Sequence, residues 1–166
     1  EIVTARQVLQ PGTYYAFNTE SAFNPKTTSS LEVTGEASDA GLDDGAGTVE
    51  ASEYQFKSED PLPAGTNEIL FANVGAQPHH IIAAKLTGDA TAEEVEKTFK
   101  DKKAGRPPLD ESSTQTTAVI EGGEDQLVSF DLEPGRYAFF CFITDRQGGQ
   151  RHALKGMVSE IEVEEP

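Results

Sequence analysis

Residues 135–157 read GRYAFFCFITDRQGGQRHALKGM. The dense apolar run from Arg136 to Thr144 predicts a buried strand, and a last strand is expected from Met157 to Val163. Between them lies a polar, glycine-rich segment. Cys141 is the only Cys and Met157 the only Met of the 166-residue chain. His152 is one of three His, and the other two stand together at His79 and His80 in NVGAQPHH, residues 73–80. Rare soft and imidazole side chains gathered at two strand ends point to a single metal site.

Working outward, 166 residues suffice for one domain with a substantial core. Val, Ile, Thr, Tyr and Phe come in short runs separated by Gly, Pro, Asn and Asp, the pattern of a β protein. The net charge of −16 excludes nucleic acid as a natural partner, because phosphate needs the opposite sign. It keeps the protein soluble and suits either a basic partner or a salty environment. One Cys rules out an internal disulfide framework. No run approaches the ~20 apolar residues of a membrane span. The chain begins at Glu1 rather than Met, which fits a mature product whose signal peptide or lipid anchor has been removed.

Strands are expected at Thr13 to Phe17, Leu31 to Val33, Thr48 to Lys57, Glu68 to Val74, His80 to Leu86, Thr116 to Ile120 and Gln126 to Leu132. With the two strands flanking the Cys141 segment this predicts a sandwich or barrel. GEASDAGLDDGAG, residues 35–47, lacks the ligand spacing of a calcium-binding EF-hand and reads as a solvated loop. Thr91 to Lys103 is the one clear helix. Thr91 is placed to cap it, Glu94 completes a capping box, and Val95 and Phe99 form one narrow apolar stripe.

One thiolate, two imidazoles and a weak thioether are the ligands of a blue-copper electron-transfer centre. Cys141 would supply the short bond to the metal, His79 and His152 would complete a trigonal plane, and Met157 would sit as the long axial ligand. A β-sandwich brings His79 to Cys141 because strand ends cluster at its poles. Side chains alternate along a strand, so Phe139 shares the face of Cys141 while Phe140 and Phe142 point away. The polar DRQGGQR, residues 145–151, is expected to bulge outward as a surface flap.

NVGAQPHH at 73–80, GRYAFFC at 135–141 and HALKGMV at 152–158 resemble the ligand loops of the cupredoxins, the plastocyanin and azurin family. The resemblance covers about residues 48–164 and implies an all-β, Greek-key β-sandwich, here with one short helix insertion and an N-terminal extension. It implies copper, as Cu(I)/Cu(II), bound by His79, Cys141, His152 and Met157. On this reading residues 47–166 form the cupredoxin domain, and residues 1–46 pack on the sandwich or add strands to it. The chain departs from the family in two places. Ten residues separate Cys141 from His152, more than in simple plastocyanin-like proteins. The position after the first His is often Asn in the family, where it braces the ligand loop, and here it is His80. His79 follows Pro78 and matches the family position, so His80 is expected beside the site and not as a ligand.

The resemblance implies single-electron transfer, with a transient redox partner and an extracytoplasmic location: periplasmic, secreted, or membrane-anchored by a segment outside this sequence. The alternative is a copper-binding module that buffers or delivers the ion, but the exposed Met or His clusters that exchange needs are absent. Zinc is a chemical rival at a Cys–His–His site. A multicopper enzyme needs several more His than three, and no Ser-His-Asp or paired-carboxylate arrangement stands out. An enzyme is therefore not expected.

Overall fold

The computed structural model describes residues 4–17, 28–36, 41–101 and 103–165. The chain divides into two compact units, residues 8–41 and the remainder. Part of the acidic loop at 35–47 lies outside the described residues.

Two five-stranded sheets make up the larger unit. The first has the order β1 (Ala5–Arg6), β10 (Asp125–Leu132), β7 (Gly65–Asn73), β4 (Thr48–Ser52) and β5 (Gln55–Lys57). The second has β6 (Leu62–Pro63), β12 (Val158–Glu164), β11 (Gly135–Phe140), β8 (Ile82–Leu86) and β9 (Leu109–Thr116). Alternate residues of each sheet face inward, as period-2 side-chain placement requires. Ile69 and Phe71 of β7 with Val128, Phe130 and Leu132 of β10 meet Tyr137 and Phe139 of β11 and Ile161 and Val163 of β12 in one buried cluster. Phe139 is its aromatic centre, 6.4 Å from Phe56 and 6.3 Å from Phe130 between ring centroids.

A second apolar cluster lies on the other face of the second sheet. Ala84, Leu86, Ala138 and Phe140 are covered there by Val95 and Phe99 of helix α1 (Ala92–Lys100). Strand β11 is therefore buried on both faces, which is why its sequence is a continuous apolar run rather than an alternating one. Phe139 and Cys141 fall in the inner cluster and Phe140 and Phe142 in the outer one, as alternation predicts. The helix has the expected capping box, with Thr91 Oγ1 accepting from the Glu94 N–H and Glu94 accepting from the Thr91 N–H. It ends at Lys100, short of the expected Lys103, because Asp101 has extended backbone angles.

Three strand expectations are corrected. Residues 48–57 form two antiparallel strands joined at Glu53-Tyr54, not one strand, so Tyr54 sits in a turn. The strand before β10 is β9, Leu109–Thr116, and Ile120 makes only an isolated bridge to His79. The chain also leaves β11 at Phe140, which puts Cys141 just past the strand end.

Residues 8–41 contain a separate antiparallel hairpin of β2 (Gly12–Phe17) and β3 (Thr28–Val33), with Tyr14 opposite Leu31.

Candidate metal centre

The first ligand loop is held by its own backbone and by two polar side chains. The His79 N–H donates to the Ile120 carbonyl at 3.0 Å and the Ile120 N–H returns to the His79 carbonyl at 2.9 Å. Buried Asn73 donates to the Gln77 and Ile120 carbonyls and accepts from the Gly75 N–H, so it braces the loop. Glu53 accepts the N–H groups of Ala76 at 2.7 Å and Gln77 at 2.8 Å. Glycine at position 75 leaves room for these bonds, since a Cβ there would lie 2.6 Å from the Glu53 carboxylate and make it shift.

The second loop is closed at its neck. The His152 N–H donates to the Ile143 carbonyl and the Ala153 N–H to the Cys141 carbonyl, both at 2.8 Å. The ten residues between the two side chains therefore do not separate them. His152–Lys155 form one 3-10 turn that ends at Gly156, whose φ of 106° suits glycine. The Met157 N–H then donates back to the His152 carbonyl at 3.0 Å.

His79, Cys141, His152 and Met157 are all fully buried. The Nδ1 atoms of His79 and His152 lie 3.1 Å apart, and Cys141 Sγ is 3.5 Å from His152 Nδ1. One donor atom from each of His79, Cys141 and His152 falls within 4.8 Å of the others. Met157 shares the apolar cluster of Cys141. Two ring nitrogens and a sulfur converge on one small volume, an arrangement suited to a cation that replaces the thiol proton. The set matches the copper preference for two imidazoles and a thiolate with a thioether nearby.

Burial favours the neutral form of every donor. It pushes the Cys141 thiol up to about 11, opposed by the neighbouring backbone N–H groups of His80 and Ile143. It lowers both His79 and His152, against the pull of Glu53 and Asp145 respectively. His80 lies outside the donor cluster. Its Nε2 accepts the Phe142 N–H at 3.0 Å, and burial lowers it to about 4. It thus ties the first ligand loop to the residue after Cys141.

Sequence reasoning missed the groups on the outward ring nitrogens. His79 Nε2 is buried without a hydrogen bond, 3.6 Å from Glu53 Oε1, beyond normal bonding distance. His152 Nε2 lies 3.0 Å from Asp145 Oδ1. Asp145 also accepts from Tyr54 Oη at 3.0 Å and pairs with Lys155. The Lys155 ammonium holds the Asp145 carboxyl below its usual range. The flap expectation thus holds for the exposed Arg146 to Gln150, while Asp145 folds inward. No local pattern marks these residues; only the loop spacing hinted that something differed here.

Fold and donor set together define a copper protein of the electron-carrier class. The chain belongs to the family of copper-binding proteins of the plastocyanin/azurin type, whose model matches residues 46–164. That family transfers electrons to redox partners through copper and is not enzymatic. Two similar solved structures are a dithionite-reduced auracyanin from the photosynthetic bacterium Roseiflexus castenholzii and auracyanin B. The first is 24% identical, over 70% of this chain and 94% of that one, with a TM-score of 0.44. The second is 22% identical, over 70% and 86%, with a TM-score of 0.43. Among curated proteins none matches the chain.

Proposed function

We propose that the protein carries single electrons through a mononuclear type 1 copper centre held by His79, Cys141, His152 and Met157. The convergence of two buried Nδ1 atoms and one thiol sulfur carries this reading. Copper supplies the one-electron Cu(I)/Cu(II) couple. The protein holds the donors fixed before the ion arrives, through the Ile120 bridge and the two backbone bonds at the neck of the second loop. Burial excludes water, and the aromatic cluster at Phe139 stiffens the wall behind Cys141. Each turnover takes one electron from a reduced partner and yields it to an oxidised one.

We assign the copper domain to residues 47–166, with residues 1–46 as an extension. The match over 46–164 supports that boundary, and the extension adds β1 to the copper domain's first sheet through its pairing with β10. The acidic surface suits a small, transient contact with a basic redox partner. No helix among the described residues is long and apolar enough to cross a membrane. An extracytoplasmic location accords with the family. Complete burial of the donors argues against the buffering or delivery alternative, which needs an exchangeable ion.

The test is an absorption and EPR spectrum of the Cu(II)-loaded protein, followed by voltammetry. An intense thiolate-to-copper band and a reversible couple are expected. Absence of the band would sink the type 1 assignment, and an irreversible couple would favour delivery.

A further inference from the structure

The outward edge of His152 is covered by three residues from three different elements. Asp145 comes from the segment between Cys141 and His152, Tyr54 from the turn between β4 and β5, and Lys155 from the 3-10 turn. Asp145 Oδ1 lies 3.0 Å from His152 Nε2 and 3.0 Å from Tyr54 Oη, and its Oδ2 pairs with the Lys155 ammonium. Lys155 Nζ is 2.9 Å from Tyr54 Oη and 4.5 Å from the centre of its ring. The Tyr54 ring lies 5.1 Å from the His152 ring. Two contacts hold the flap in place. The Arg146 N–H donates to Gln77 Oε1 at 3.0 Å, and the Arg146 guanidinium pairs with Glu121.

A carboxylate can only accept, so the His152 Nε2 beside it must carry the proton. The Nδ1 lone pair then faces Cys141 and His79. We propose that Asp145 is a positioning residue that fixes the tautomer and direction of His152, and that the opposed charges of Asp145 and Lys155 set the reduction potential of the site. The proposal rests on the copper reading above. A carboxylate bonded to a ligand imidazole makes the ring a stronger donor. Its negative charge favours the more positive oxidation state, and the ammonium beyond it opposes that bias.

The test uses the full chain and the variants Asp145→Asn, Asp145→Ala and Lys155→Met. In the metal-free protein at pH 8, nitrogen NMR of His152 should show the proton on Nε2. Asp145→Asn, which keeps an acceptor oxygen, should retain that tautomer, and Asp145→Ala should lose the preference. A proton found on Nδ1, or tautomers unchanged in Asp145→Ala, overturns the positioning role. With copper bound, Asp145→Asn should weaken Cu(II) relative to Cu(I) about tenfold, a rise of about 59 mV for one electron. Lys155→Met should shift the potential in the opposite direction. A purely structural cap would move both variants the same way or leave the potential unchanged, and either result overturns the electrostatic role. If the wild type lacks the thiolate band, the copper reading fails, while the metal-free tautomer measurement still decides the role of Asp145.

Discussion

His79 Nδ1 lies 3.1 Å from His152 Nδ1, although 73 positions separate the two residues. Neither is on a strand. His79 is pinned by a bridge to Ile120, and His152 opens a 3-10 turn whose backbone is bonded to Ile143. The two rings meet because both sheets end at the same pole of the sandwich.

Replacing His79 and His80 separately distinguishes ligand from brace. His79→Ala removes a converging donor and should abolish the thiolate band. His80→Ala should keep the band, since its Nε2 faces the Phe142 N–H and not the donor cluster. It leaves that N–H without its partner, at a cost of about 1–3 kcal/mol. Spectra and denaturant melts of the two variants check this.

Copper uptake should release about one proton near pH 7. Both imidazoles are already neutral there because burial lowers them, whereas the Cys141 thiol, at about 11, must lose its proton to bind. Calorimetric titration in two buffers of different ionisation enthalpy counts the proton. Release near zero would mean that Cys141 is already a thiolate or is not a ligand.

The metal-free protein should be most stable between about pH 6.5 and 9. Cys141 is raised on folding, so its contribution is complete below the unfolded value of 9.0 and lost as pH rises through about 11. His80 is lowered from 6.5 to about 4, so its contribution is complete above the unfolded value and lost as pH falls through the folded one. The alkaline loss amounts to at most about 3 kcal/mol. Denaturant melts across this range should show both flanks, and Cys141→Ser should show a smaller alkaline loss, the remainder coming from buried Tyr137, which burial also raises.

Gly75→Ala should destabilise the His79 loop. The new Cβ would meet the Glu53 carboxylate at 2.6 Å and force it off the Ala76 and Gln77 N–H groups. A loss of about 1–3 kcal/mol is expected. Glu53→Ala removes the same bonds, so the double variant should lose less than the two single losses combined. Full additivity in metal-free melts would contradict a shared mechanism.

Legibility in the sequence followed the strength of local pattern. QLVSFDL alternates and forms β10, and the capping box at Thr91 and Glu94 formed as spaced. Strand β9 was missed because LDESSTQT is polar and mostly exposed, with no apolar alternation to detect. The break in 48–57 was missed because Tyr54 and Phe56 continue the alternation through a turn.

The sequence by itself determined the β class, the helix start and the inventory of donors, because each rests on residue type and near-neighbour spacing. It also separated His79 from His80, since adjacent residues point opposite ways in extended chain. Tertiary structure alone decided what touches the outward ring nitrogens. Tyr54, Asp145 and Lys155 lie 91 and 10 positions apart in their contacts, and no short-range rule links them. They meet because the β4–β5 turn, the flap and the 3-10 turn end together over His152, where a ring nitrogen in a dry environment needs a partner.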